Sequence, residues 1–329
     1  PPRSTLFPYT TLFRSTQHVL DAFVKSSGKT LIFASSIAVY DTFLQDNCVF
    51  MIDENTPLGG FEGEYYSVTK RKAEAMIQKY SHRFPDKRFI ITRLGPIVGK
   101  KDLQIVPNFI KLLSSRVAPR MISQGRDLFS IISPIDIARA QVFIASNLQV
   151  ASGEAFNICN LPITYREIYN IICDFYKFPR PTFSIPYIMF KISKPLLRLA
   201  VKFFPKNDFF KKAFSESAMG YIGKTFIYKS KKLKNLGFDY IISPQMAIQD
   251  ALNYLNRIPE YNVKRMNPFI LEMAKAEVIN TIVDVKESLE MFDLRKIRKI
   301  RNWRQRAWNF VKILFVCLLL AWIIVFLVL

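Results

Sequence analysis

Tyr66 and Lys70 stand four residues apart in YYSVTKRKAEAMIQKYSHRF, a stretch whose pattern predicts a helix over 64–80. At that spacing two side chains share one helix face, one turn apart. A phenol with an ordinary pKa of about 10 is a poor base at neutral pH. A neighbouring ammonium favours the phenolate, so the pair suits acid–base work. The pattern alone carries little, because it recurs at Tyr187/Lys191 and Tyr228/Lys232, and any single copy reads equally as an ordinary helix face. Context sets the first copy apart. Only Tyr66 follows a strand-to-loop segment, FASSIAVY, which places the hydroxyl of Ser36 thirty residues upstream.

The elements that must position these groups alternate along the chain. HVLDAFVKSSG reads as a helix ending near Gly28, and TLIFASSIAVY as a buried strand running into a loop. Residues 41–62, with Pro57, Gly59 and Gly60, read as irregular. After the Tyr66 helix, KRFIITRLGPIVG is a second buried strand followed by a turn. Helices are expected over roughly 105–115 and over 134–148. The strand AFNIC then precedes ITYREIYNIICDFY, a helix with its cap at Thr164. Helix–strand alternation with apolar strands predicts a parallel α/β architecture.

The formal net charge of +21 is spread over Lys-rich stretches. No nucleic-acid-binding motif accompanies it, so no nucleic-acid partner is expected, and a membrane surface accounts for the charge better. Cys48, Cys159, Cys173 and Cys317 lack metal-like spacing, and with only His18 and His82 no metal site is expected. Reduced cysteines in a cytosol-facing protein are the reading.

FASSIAVY, YYSVTKRKAE and FIITRLGPIVGK together resemble the core of the extended short-chain dehydrogenase/reductase superfamily, the NAD-dependent epimerase/dehydratases. GRDLFSIISPIDIARA, GEAFNICNLPITYREI and FIYKSKKLKNLGFDYIIS extend the similarity over roughly residues 16–256. The resemblance implies an NAD or NADP cofactor, with Tyr66 as general acid/base. It also implies that Lys70 lowers the pKa of that tyrosine and bonds the nicotinamide ribose. Ser36, rather than its neighbour Ser35, would hydrogen-bond the substrate oxygen. Gly95 and Pro96 would bring backbone near the carboxamide, although Leu94 stands where the family more often has proline.

A dinucleotide fold carries a Gly-rich turn after its first strand and an acidic residue about 20 residues later. Neither precedes HVLDAF. The first strands are therefore expected to be missing, leaving an exposed sheet edge and poor NAD(P) binding, which calorimetry can check. The opening PPRSTLFPYTTLFRS fits this. It back-translates in full to a common short-read sequencing adapter, so residues 1–15 are expected to be non-native, with the native frame beginning near Thr16. Sequencing the source locus checks that.

Between Arg295 and Lys312 lie eight basic residues and no acids, and ILFVCLLLAWIIVFLVL follows. Counted from Ala307 the stretch has twenty-three residues. At about 1.5 Å each these give roughly 35 Å, enough to cross a hydrocarbon core of about 30 Å. A C-terminal transmembrane helix over 307–329 is expected, with the catalytic domain cytosolic (at the endoplasmic reticulum in a eukaryote). In IPYIMFKISKPLLRLAVKFF, Lys191, Lys194, Arg198 and Lys202 form one basic stripe, reading either as an interfacial segment or as a substrate-domain helix with a solvated face.

The expected organisation is a non-native segment 1–15 and a partial Rossmann-like domain 16–150. An α+β substrate domain 151–260, a basic juxtamembrane linker 261–306 and the membrane helix follow. The expected activity is Tyr/Lys/Ser-assisted hydride transfer at a hydroxyl or keto group. The expected substrate is a small, lipid-like molecule, sterol- or steroid-like, as in the 3-beta-hydroxysteroid dehydrogenase branch. A nucleotide-sugar epimerase or dehydratase, recruiting Lys101, Arg120 or Arg126 for a diphosphate, is the alternative. A catalytically silent membrane scaffold is a third reading, and homodimerisation is left open.

Overall fold

The computed structural model describes residues 7–40, 49–59, 65–114, 121–181, 184–189, 191–192, 195 and 223–262. The chain forms two compact units. The first comprises 1–106, 126–168 and 224–254, and the second 107–125, 169–223 and 255–329.

The first unit is organised around a three-stranded parallel sheet. Its strands are β1 (Thr30–Ser36), β3 (Arg88–Leu94) and β6 (Ala155–Ile158), in the order β1-β3-β6. β3 is central and its side chains alternate between two cores, as the strand period of two requires. Phe89 and Ile91 join Leu20 of α1 (Phe7–Lys25) and Met76, Ile77 and Tyr80 of α2 (Tyr65–Arg83) on one face. On the other face Ile90 joins Ile137, Ala140 and Ile144 of α4 (Pro134–Ser146) and Ile158 of β6. Each fully buried side chain of this size contributes about 1.5–3 kcal/mol.

Two adjacent residues at the start of this register anchor a helix on each face. Lys87 Nζ donates to the carbonyls of Ser26 and Gly28, at 2.6 and 2.7 Å, just beyond the end of α1. Arg88 donates to the carbonyls of Asn147, at 2.8 Å, and Ala145, at the end of α4. Cations at helix C-termini satisfy carbonyls that have no partner within the helix and oppose the negative dipole end. At the other termini, Asp102 accepts from the N–H groups of Gln104, Ile105 and Val106 and opens α3 (Ile105–Ser114). The expected Thr164 cap of α5 (Tyr165–Tyr176) is present as a reciprocal pair, Glu167 N–H to Thr164 Oγ1 and Thr164 N–H to the Glu167 carboxylate.

A second sheet of the same unit has the order β2-β9-β5-β7. Its strands are β2 (Val49–Ile52), β5 (Leu128–Ser130), β7 (Pro162–Thr164) and β9 (Thr225–Tyr228). β2 corrects the expectation that 41–62 is irregular throughout. Its residues alternate between exposed and buried, and Phe50 stacks on Phe226 of β9 with centroids 5.0 Å apart. β1 also departs from the expected buried strand. Most of it is only half-buried, because among the described residues it has a neighbour on one side alone. The outer edge of β6 is closed by side chains instead of a strand. The N–H of Asn157 donates to Glu54 at 3.1 Å, and the N–H of Cys159 to Ser230 Oγ at 3.0 Å. That hydroxyl returns a bond to the Cys159 carbonyl at 2.7 Å. The short helix α6 (Lys231–Asn235) follows, and α7 (Pro244–Leu255) comes next in the chain.

In the second unit β4 (Met121–Ile122) pairs with β8 (Ser184–Ile185), and Tyr176 Oη donates to the Tyr261 carbonyl at 2.9 Å. Among the described residues no helix is long and apolar enough to cross a membrane. The expected span 307–329 lies outside the described residues, as does the linker beyond residue 262. The helix containing HVLDAF begins at Phe7, so it continues into the segment expected to be non-native.

Candidate functional site

The parallel register of β1 and β3 sets Ser36 beside Leu94, so Ser36 and Gly95 reach the same, C-terminal edge of the sheet. α2 places Tyr66 and Lys70 in its first turns. Lys70 Nζ donates to the carbonyl of Ala34 at 2.7 Å, two residues before Ser36. The same ammonium lies 5.1 Å from the Phe33 ring centroid and 5.9 Å from that of Tyr66. Half-burial pushes the Lys70 pKa down, against the opposing pull of the Glu74 carboxylate. Tyr66 itself is half exposed, 52 %. The arrangement therefore holds a phenol at the surface, over a cation fixed to the end of a strand.

The two adjacent serines divide cleanly. Ser35 is buried, and its hydroxyl donates to Glu74 at 2.5 Å. Ser36 is half-buried and accepts from the Ala38 N–H at 3.2 Å, which leaves its O–H to donate. Ser67, one residue after Tyr66 and buried, donates to the Ala38 carbonyl at 2.6 Å. It ties the start of α2 to the short turn (Ile37–Val39) that Ser36 opens.

Gly95 is set by a close approach. A Cβ there would lie 2.8 Å from Cys159 Sγ. Its N–H donates to the Ile158 carbonyl at 3.1 Å, and the Pro96 carbonyl accepts from Ile132 at 2.9 Å. Those two backbone atoms join β3 to its surroundings. Of the residues named for a diphosphate, Lys101 and Arg126 are exposed, and Arg120 lies outside the described residues.

Beneath the site runs a polar network that the sequence reading did not include. Glu74, one turn after Lys70 on α2, accepts from Arg93 Nη2 at 2.8 Å and from Arg93 Nε at 3.1 Å. Arg93 Nη1 donates to Tyr40 Oη at 2.9 Å, and Tyr40 donates to Asn157 Oδ1 at 2.6 Å. Burial disfavours the Arg93 charge, but the Glu74 carboxylate more than restores it and raises its pKa. Burial raises the Tyr40 phenol to about 12, although Arg93 pulls it down. The sequence signal for this network was the continuation of the Tyr66/Lys70 stripe by four more residues to Glu74. Glu54, at the far end, is pushed up by burial, as is the thiol of Cys159. Among the described residues no group of three His, Cys, Asp or Glu side chains could hold a metal ion.

These elements define a Rossmann-like α/β protein with a Tyr/Lys pair and a serine at the C-terminal edge of its parallel sheet. Residues 8–159 match the model of the NAD dependent epimerase/dehydratase family. Solved structures share the fold. UDP-glucuronic acid 4-epimerase from Bacillus cereus, in complex with UDP-glucuronic acid and NAD, aligns with a TM-score of 0.56 at 16% identity, covering 77% of this chain and 69% of its own. dTDP-glucose 4,6-dehydratase from Bacillus anthracis, in complex with NAD, gives 0.54 at 17% identity over 77% and 70%. UDP-glucose 4-epimerase from Thermotoga maritima, with UDP-glucose, gives 0.54 at 13% identity over 76% and 70%. A search of curated protein sequences gives no significant match.

Proposed function

We propose that this chain carries the proton-transfer side of an NAD- or NADP-dependent oxidoreductase site, acting on a hydroxyl- or keto-bearing carbon of a nucleotide-linked sugar. The observation that carries the reading is the Lys70 ammonium, 2.7 Å from the Ala34 carbonyl and facing the Tyr66 ring, at the end of the strand that terminates in Ser36. Half-burial and the fixed ammonium fit the nicotinamide half of the cofactor. The cofactor, when bound, supplies the hydride acceptor or donor. The residues of this chain orient the substrate and move its proton. The Ser36 O–H donates to the substrate oxygen, and the Tyr66 oxygen takes or returns the hydroxyl proton. Lys70 holds positive charge beside the phenol and favours its ionised form. The choice of a sugar nucleotide rests on the family model and on the ligands named for the fold neighbours.

A second reading keeps the same chemistry with an apolar, sterol-like substrate drawn from a membrane. The seventeen consecutive apolar residues 313–329, behind a basic flank, favour it. In that reading 307–329 span the bilayer and the catalytic units face the cytosol. The test assays the product of the native locus with NAD or NADP and either UDP-sugars or a 3-hydroxysteroid, with product isomers resolved by NMR. Tyr66→Phe is expected to lower turnover by about 10²–10⁴-fold without changing the urea midpoint. Full turnover in Tyr66→Phe overturns the assignment.

A further inference from the structure

We infer that Ile188, Met189, Lys191, Ile192 and Pro195 form a docking surface for an anionic lipid interface. It lies in the second unit, where residues 187–189 and 191–192 are helical. Ile188, Met189 and Ile192 are 59, 56 and 72 % exposed. Their spacing of one and four places all three on one side of a helix. Isolated exposed apolar side chains are ordinary on a soluble surface, but three on one turn make a contiguous patch. Lys191 and Pro195, which border it, are exposed as well.

Charge selects the occupant. From Phe175 to Asn207 the sequence contains no acid, while Lys177, Arg180, Lys191, Lys194, Arg198, Lys202 and Lys206 are basic. Two periodic series run on from the patch. Leu196, Leu199 and Phe203 continue the spacing of Ile192, and Lys194, Arg198 and Lys202 continue that of Lys191. Exposed apolar side chains within an acid-free, basic stretch of sequence match a bilayer interface, which offers acyl chains beside negative headgroups. A protein partner would have to present its own acids at the same rim. The apolar run 313–329 behind its basic flank would hold the chain at such a surface, so this second contact would form at high effective concentration.

The experiment uses the full chain on phosphatidylcholine vesicles, with and without phosphatidylserine. An environment-sensitive fluorophore is attached at Ile188→Cys or Ile192→Cys in a Cys48→Ser/Cys317→Ser background, since Cys159 and Cys173 are buried. On phosphatidylserine vesicles the emission is expected to shift to the blue and to be quenched by lipids carrying a nitroxide near the headgroup. The same probe at Leu148→Cys, where the native side chain is 90 % exposed in the first unit, should stay water-like. Each of Lys191, Lys194, Arg198 and Lys202 replaced by Gln should weaken docking about fivefold. Probes at 188 and 192 that lipid nitroxides leave unquenched overturn the inference. So does equal docking on phosphatidylcholine alone, which would remove the charge selection. A blue shift that grows with protein concentration in the absence of vesicles would make the patch a contact between copies instead, and also refutes it.

Discussion

Arg93→Met tests whether the buried network beneath the Tyr66/Lys70 face fixes α2 on the sheet. Arg93 and Glu74 are 6 and 2 % exposed, and two of the hydrogen bonds to the Glu74 carboxylate come from one guanidinium. Removing it leaves a buried carboxylate with the Ser35 hydroxyl still donating. Two charge-assisted bonds at about 1.5–3 kcal/mol each set the loss at about 3–6 kcal/mol. That range overlaps the roughly 3–5 kcal/mol typical of breaking a buried pair from one side. Met fills much of the vacated volume, so the cavity contribution is small. Glu74→Leu should cost a similar amount, because it strands the Arg93 charge against Tyr40. The double variant has no stranded charge and should lose less than the sum of the two, by about 2–3 kcal/mol. Urea unfolding followed by circular dichroism reads all three variants, with an unchanged slope as the check on two-state behaviour. Single losses below about 1 kcal/mol, or strict additivity, would refute the reasoning.

Lys87→Met and Arg88→Met should each cost about 2 kcal/mol, but at different places. Amide exchange should accelerate at the end of α1 in the first variant and at the end of α4 in the second. Acceleration at both ends in either one would show that the anchoring is not divided between the faces. Glu54 gives a pH test. Burial raises its folded pKa above the ordinary value, so stability is fully present below the unfolded pKa and is lost as pH rises through the folded one. Glu54→Gln removes that titration and keeps an acceptor for the Asn157 N–H. Its urea midpoint relative to wild type should therefore be higher at about pH 7 than at about pH 4. A difference independent of pH counts against the burial argument.

Local periodicity made much of the fold legible. β3 and the helices α2, α4 and α5 each carry their pattern in consecutive residues, and α5 carries its cap as well. β2 was hidden by Pro57, Gly59 and Gly60 around it, and by a partner, β9, that lies far away in sequence. β5 and β7 are three residues each, too short to show a period. At the site, the Ser36–Tyr66–Lys70 spacing is a sequence property, because one strand and one helix carry all three residues. The Glu74–Arg93 pair is not one. Its partners lie on different elements, and only the packing of α2 against β3 shows that a polar residue on a Lys-rich helix points inward.

Side chains cap both margins of the three-stranded sheet. On the β6 side Glu54 accepts from the Asn157 N–H, and Ser230 Oγ takes both the N–H and the carbonyl of Cys159, so a strand pairing there would have to displace them. On the β1 side Lys70 holds the Ala34 carbonyl, so a strand added there would compete for the cation that stands beside Tyr66.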